Sequence, residues 1–169
     1  SADIYKNVLK YSCDHKNGVR SSKRTDILNQ QVASMIVKEF SNPDDWEINY
    51  EKKIKCARAC HPQPNKKFTI DIVLTNKKTS QNVYILLKSI EASYNKNREN
   101  FTNCMIGETQ RIHGTGEVHG SSLKKQRAND LTLFLTLIPR EICAGNKIEK
   151  INYSFLSDED LRVYNKNIH

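Results

Sequence analysis

No apolar run in this chain approaches the ~20 residues needed to cross a membrane as a helix, and residues 1–20 are polar, without the apolar core of a signal peptide. The reading is a cytoplasmic protein with no membrane partner. Cysteine is sparse and odd in number: Cys13, Cys56, Cys60, Cys104 and Cys143 are scattered along the chain. That spacing points to reduced thiols rather than a disulfide framework. There is no internal repeat and no low-complexity linker, so one continuous domain is expected. No GxxxxGK[ST] loop is present and no GxGxxG follows a strand, which removes the common nucleotide-phosphate readings. No Ser–His or Cys–His arrangement supports nucleophilic catalysis.

What the chain does have is positive charge. Its 169 residues carry a formal net charge of +8, with 37% hydrophobic residues, and the pI is about 9.2. Length and apolar content suffice for a single domain over 1–169 with a real core. The charge favours a polyanionic partner, nucleic acid first and an anionic membrane surface second. The bland reading is a basic protein whose charge is incidental.

Periodicity predicts the order of elements. Ile4, Tyr5, Val8 and Leu9 suggest a short first helix. Ile27, Leu28, Val32, Met35, Ile36 and Phe40 then recur at 3–4 spacing, which predicts a helix from about Ser22 or Thr25 to Phe40 with one buried face. Ser41-Asn42-Pro43-Asp44-Asp45 is a turn. Trp46–Glu51 alternates like a half-buried strand, and Phe68–Leu74 and Val83–Leu87 are apolar strands joined by a polar hairpin connection over 76–82. Val83–Leu87 is apolar throughout, as a central strand should be. A polar helix is predicted near 93–106, then a long loop over 107–130, a strand at Leu131–Ile138, an edge strand at Ile148–Phe155, and a short terminal helix capped near Ser157. The class is α/β (α+β), a central mixed β-sheet flanked by helices.

Two charges stand out in the apolar strands. Asp71 interrupts Phe68–Leu74, and Lys88 closes Val83–Leu87. A charge in a strand is costly to bury without a partner, so these residues either serve a site or pair with each other structurally. Hydrolysis of a phosphodiester with a divalent metal needs hard oxygen ligands and a positive group near the phosphate or the attacking water. Glu39 on the preceding helix, Asp71 on one strand and Lys88 ending the next meet that need.

With those residues at those places, the chain over about 25–138 resembles the PD-(D/E)XK nuclease superfamily, the restriction-endonuclease-like proteins; residues 139–169 would add a C-terminal edge strand and short helix. The resemblance implies that Asp71 is the central metal-binding aspartate, that Lys88 polarises water or contacts phosphate, and that Glu39 is the first-helix glutamate. Leu87 would contribute only its backbone carbonyl to the metal. The family usually has Asp or Glu two residues before the lysine; here that residue is Leu86. Ile70 likewise stands where the family has proline. Glu51, Glu91 or Glu99 is the expected replacement for the carboxylate missing at Leu86. The alternative is a catalytically inactive relative that binds DNA without cutting it.

For DNA contact the candidates are Ser93, Tyr94, Asn95, Lys96, Asn97 and Arg98, whose amides and cations suit phosphates and base edges. Lys124, Lys125 and Arg127 form a second basic cluster, and Lys52, Lys53, Lys55 and Arg58 a third. Arg111 and His113, with His119, belong to the glycine-containing loop. Each of these also reads as an ordinary solvated surface. Cys56-x3-Cys60-His61 with His113-x5-His119 lacks the two tight ligand pairs of a structural zinc site, which is therefore not expected. The expectation is a metal-dependent DNA endonuclease of the type II restriction kind using Mg²⁺ or Mn²⁺, possible as a homodimer. A basic protein-interaction domain is the remaining alternative.

Overall fold

The computed structural model describes residues 22–56, 67–89, 94–113, 127–137, 141–144 and 147–150, with 7, 10, 11, 13 and 14; at 22–24, 89, 94–99, 101–102, 137, 141–144 and 147–150 only the backbone is described. Helix α1 spans Ser22–Lys38. Strands β1 (Trp46–Lys55), β2 (Lys67–Asn76) and β3 (Asn82–Ser89) follow, then helix α2 (Tyr94–His113), β4 (Leu131–Leu137), β5 (Glu141–Ala144) and β6 (Lys147–Lys150). The class is mixed α+β, with a four-stranded mixed sheet in the order β1-β2-β3-β4. The β1/β2 and β2/β3 pairs are antiparallel and β3/β4 is parallel. A parallel neighbour needs a long crossover, and the segment containing α2 provides it.

Each helix belongs to a different apolar cluster. Leu28, Val32, Ala33 and Val37 of α1 pack with Ile72 and Leu74 of β2 and Val83, Ile85 and Leu87 of β3. Ile112 of α2 clusters with Val73, Tyr84, Leu86 and Ile70. This two-sided burial explains why Val83–Leu87 is apolar at every position. Burying each large aliphatic here is worth about 1.5–3 kcal/mol. Met35, expected on the buried stripe of α1, is 42% exposed; the stripe turns through Val32, Ala33, Ile36 and Val37 and leaves it outside.

The helix ends in two backbone bonds of the tighter i→i+3 kind, from the Glu39 N–H to the Ile36 carbonyl and the Phe40 N–H to the Val37 carbonyl. Phe40 then stacks on Trp46 at 4.4 Å between ring centroids, which anchors the start of β1. The β2–β3 connection is held by Asn76, whose Oδ1 accepts from the N–H groups of Lys78 and Thr79 at 2.9 and 3.0 Å. That is the Asx-type turn that asparagine favours.

Three expectations change. The polar helix continues to His113 rather than ending near 106, so the first part of the expected loop over 107–130 is helical. Gly107 lowers helix propensity locally, but Met105, Glu108 and Ile112 lie at the 3–4 spacing of a single face, and Ile112 is fully buried. In addition β6 pairs with β5 in a separate two-stranded sheet instead of edging the main one. Cys13 is disulfide-bonded, against the expectation of reduced thiols throughout; spacing in sequence does not report which cysteines meet in space. Cys56 and Cys104 are free thiols. The expected terminal helix near Ser157 lies outside the described residues, as does most of the first helix.

Candidate functional site

The site is opened by a parting of strands. The β2–β3 ladder runs from Thr75↔Asn82 to Ile72↔Ile85 and stops. The β3–β4 ladder runs on to Ser89↔Leu137. Asp71 stands at the first position after β2 has left its neighbour. Its carboxylate takes over the lost backbone pairing: Oδ2 accepts a hydrogen bond from the Leu87 N–H at 2.8 Å. One carboxylate oxygen thus holds the chain beside Lys88.

Around this point lies a pocket of about 130 Å³ lined by Thr69 and Asp71 of β2, Leu86 and Lys88 of β3, Phe134, Leu135 and Thr136 of β4, and Cys104, Met105 and Glu108 of α2. At roughly 30 Å³ per water it has room for a few waters or a hydrated ion with a phosphate oxygen, and it is well below the ~300 Å³ of a site for a drug-sized ligand. Lys88 is exposed. The ion pairs among the described residues are Lys78–Asp45 and Arg111–Glu108, so Asp71 and Lys88 share a pocket without forming the structural salt bridge that was their alternative reading.

Glu108 is the residue that sequence reasoning missed. Its Oε1 pairs with Arg111 Nη1 at 2.6 Å, one turn on along α2. Its Oε2 is buried and has no hydrogen-bond partner. The sequence pattern places position 108 in a loop; the 105–108–112 spacing was the signal that would have recovered it.

The other candidates lie elsewhere. Glu39 is exposed and lines a separate depression with Phe40, Ser41, Asn42, Asp45, Trp46 and Asn76. Trp46 pairs with Asn76 at the far end of the β1–β2 ladder, so the helix-end glutamate is not brought to Asp71. Glu51 is exposed, with a positive φ of 48°, and is not among the pocket-lining residues. Ser93, Glu91, Lys124 and Lys125 lie outside the described residues. Tyr94, Asn95, Lys96, Asn97, Arg98 and Glu99 are in the first turns of α2, with only their backbone described.

Arg127 and His113 are built into the fold. Arg127 is 8% exposed. Its Nη1 donates to the Ile112 carbonyl at 2.8 Å and its Nη2 to the Lys55 carbonyl at 3.0 Å, and the guanidinium lies 5.8 Å from the centroid of the Tyr84 ring. It closes the C-terminal end of α2 and ties it to the end of β1, so its cation is committed internally rather than offered to a groove. Tyr84 donates its hydroxyl to Asp130 Oδ2 at 2.8 Å. Burial, then that bond to Asp130, pushes the phenol well above its usual range. His113 Nε2 meets Thr132 Oγ1 at 2.7 Å, and burial lowers its pKa below the ordinary 6.5.

Among the described residues no three His, Cys, Asp or Glu side chains gather as a metal cluster, and no helix is long and apolar enough to cross a membrane. No family model, curated protein or solved structure matches the chain.

Proposed function

We propose that this protein is a metal-dependent DNA endonuclease with a restriction-endonuclease-like core. The observation that carries the reading is that Asp71 and Lys88 line one small pocket at the place where β2 and β3 part. The succession of α1, β1–β3, α2 and β4 supports it, as does the net charge of +8.

In this reading Asp71 uses one oxygen to fix the Leu87 amide, and its carboxylate is the group that would hold the cation. A hard cation such as Mg²⁺ is commonly held by one or two carboxylates, with waters and substrate phosphate completing its shell, and the pocket fits that description. When bound, Mg²⁺ or Mn²⁺ would polarise the phosphate and lower the pKa of the attacking water. Lys88, a compact point charge on a flexible stem, sits beside the scissile phosphate and stabilises the charge that develops there. The exposed lysines of β1 and the basic residues of α2 hold the backbone of the DNA.

Supercoiled plasmid incubated with Mg²⁺ or Mn²⁺ tests this directly. Nicking or linearisation that disappears with Asp71→Ala and with Lys88→Ala is the expected result. The absence of cleavage with either metal removes the reading. A second reading, a nuclease-like module that binds DNA without cutting it, is favoured by one observation: Leu86, an apolar residue, lines the pocket where the resemblance calls for an acid. Salt-sensitive DNA binding without cleavage is its signature.

A further inference from the structure

We infer that the outer edge of β4 is a self-association surface, on which a second copy of this chain lays its own β4 antiparallel about a two-fold axis at Phe134. This stands apart from the endonuclease reading. Among the described residues β4 has β3 as its only ladder neighbour, because it ends the sheet order while β5 and β6 pair with each other. The backbone groups along its outer edge are a template for another strand.

The two edges of the sheet differ. β1 carries exposed Glu47, Glu51, Lys52, Lys53 and Lys55, and Glu51 breaks its regular backbone with a φ of 48°. Charge and irregularity are the usual guards of an edge. β4 has no such charge: its residues, Leu-Thr-Leu-Phe-Leu-Thr-Leu, include neither an ionisable group nor proline or glycine. For two copies that each carry a net charge of +8, an uncharged seam is where they can approach closely.

The sequence of β4 also says which strand fits it. Leu131–Leu137 reads the same in both directions. Paired antiparallel with itself around Phe134, it sets Leu131 opposite the partner's Leu137, Thr132 opposite the partner's Thr136, Leu133 opposite the partner's Leu135 and Phe134 opposite its own copy. Sliding the pair by two residues sets Phe134 against threonine instead. Aromatic and threonine pairs of this kind support a ladder. Leu131 is 55% exposed, and Leu133, Phe134 and Leu135 are half-buried against the two helix clusters. Each keeps apolar surface that a second strand would cover. The contact is isologous and closes at two copies.

Sedimentation velocity on the full chain over about 1–100 μM, the range of a weak specific pair, reads the association. The expected result is a monomer–dimer equilibrium that Leu131→Lys weakens by about tenfold or more, since it buries a charge at each end of the seam. Phe134→Cys and Leu131→Cys report the register, with wild type as the control for the native thiols. Directly opposite Cα atoms lie about 4.5–5.5 Å apart, within reach of a disulfide, so Phe134→Cys should give a covalent dimer when an added oxidant joins the two thiols. Leu131→Cys should not, because its copy lies about 20 Å away along the seam. A monomer at every concentration overturns the inference, as does a dimer that Leu131→Lys leaves unchanged. Equal cross-linking by both cysteine variants, or none by a folded Phe134→Cys, overturns the seam centred on Phe134. Leu131 is exposed, so its lysine form keeps the fold and decides the question if Phe134→Cys does not fold.

Discussion

The Asp71 carboxylate accepts the Leu87 amide proton at 2.8 Å, and that single bond sets the position of the residue before Lys88. It stands in for a rung of the β2–β3 ladder, which ends at Ile72↔Ile85. An acidic side chain therefore both closes the gap between two parting strands and faces the pocket that the gap creates. One oxygen of the group makes that structural bond, which leaves the other for the chemistry proposed.

The two roles separate by substitution. Asp71→Asn keeps an acceptor for the Leu87 amide, whereas Asp71→Ala leaves that amide without one. The alanine form should lose about 1–3 kcal/mol of stability, the usual cost of an unmade buried bond, and the asparagine form clearly less. Both should lose cleavage by about a hundredfold or more if the carboxylate stabilises the transition state. Denaturant melts beside cleavage rates check the pair; equal destabilisation by the two changes would contradict the assignment.

Gly107 sits inside α2, and a Cβ built there meets nothing within 4 Å. No close approach requires the glycine. Gly107→Ala should stabilise the fold by roughly 0.5–1 kcal/mol through lower unfolded-state entropy and better helix propensity, seen as a melting temperature higher by about 1–4 °C. An unchanged or lowered melting temperature counts against the extended helix.

His113 makes stability depend on pH. Burial lowers its pKa in the folded state below 6.5, so the unfolded chain binds protons more readily between the two values. Its contribution is full above pH 6.5, falls as the pH drops from there towards the depressed folded value, and levels off below it. Unfolding midpoints measured from pH 7.5 down to about 5 should show this limb. Glu or Asp titration lies lower, so His113→Gln should flatten it; a limb that survives the substitution belongs to another group.

Arg127 should matter for stability and not for DNA. Removing a buried cation that bonds the Ile112 and Lys55 carbonyls strands both acceptors. Arg127→Ala should cost about 2–4 kcal/mol, as loss of buried hydrogen-bonded networks does. DNA affinity measured well below the melting transition should be close to wild type. A large loss of affinity in a protein that remains folded would return Arg127 to the groove-facing role.

Under the proposed reading, the lysines of the β1–β2 ribbon are the ones to hold DNA. Lys55 faces Lys67 across the ladder, and Lys53 pairs with Thr69, which lines the pocket. All three lysines are exposed, and like charges directly opposite destabilise a ribbon. Replacing Lys53, Lys55 and Lys67 with glutamine should lower the slope of log affinity against log salt by roughly 2–3, about 0.9 for each phosphate no longer neutralised. Filter binding over a salt series measures it, and an unchanged slope places the DNA elsewhere.

Local pattern and covalent order were enough to mark several elements. The periodicity of Leu28, Val32 and Ile36, the apolar run Val83–Leu87 and the polar stretch over 76–82 made α1, β3 and the connection before it legible in the chain. Asp71 and Lys88 were visible because a charge in an apolar strand breaks a short-range pattern. The remaining assignments needed the folded molecule, because those residues are defined by partners far along the chain. Arg127 looked like one of three exposed basic residues until the carbonyls of Ile112 and Lys55 enclosed it. Glu39 looked close to Asp71 in the order of elements, but the β1–β2 register carries its end of α1 to the other end of the ribbon. Glu108 became part of the pocket only when α2 ran past Gly107 and Ile112 was buried with Tyr84 and Leu86, since the burial of a helix face, not its local propensity, fixed where that helix stopped.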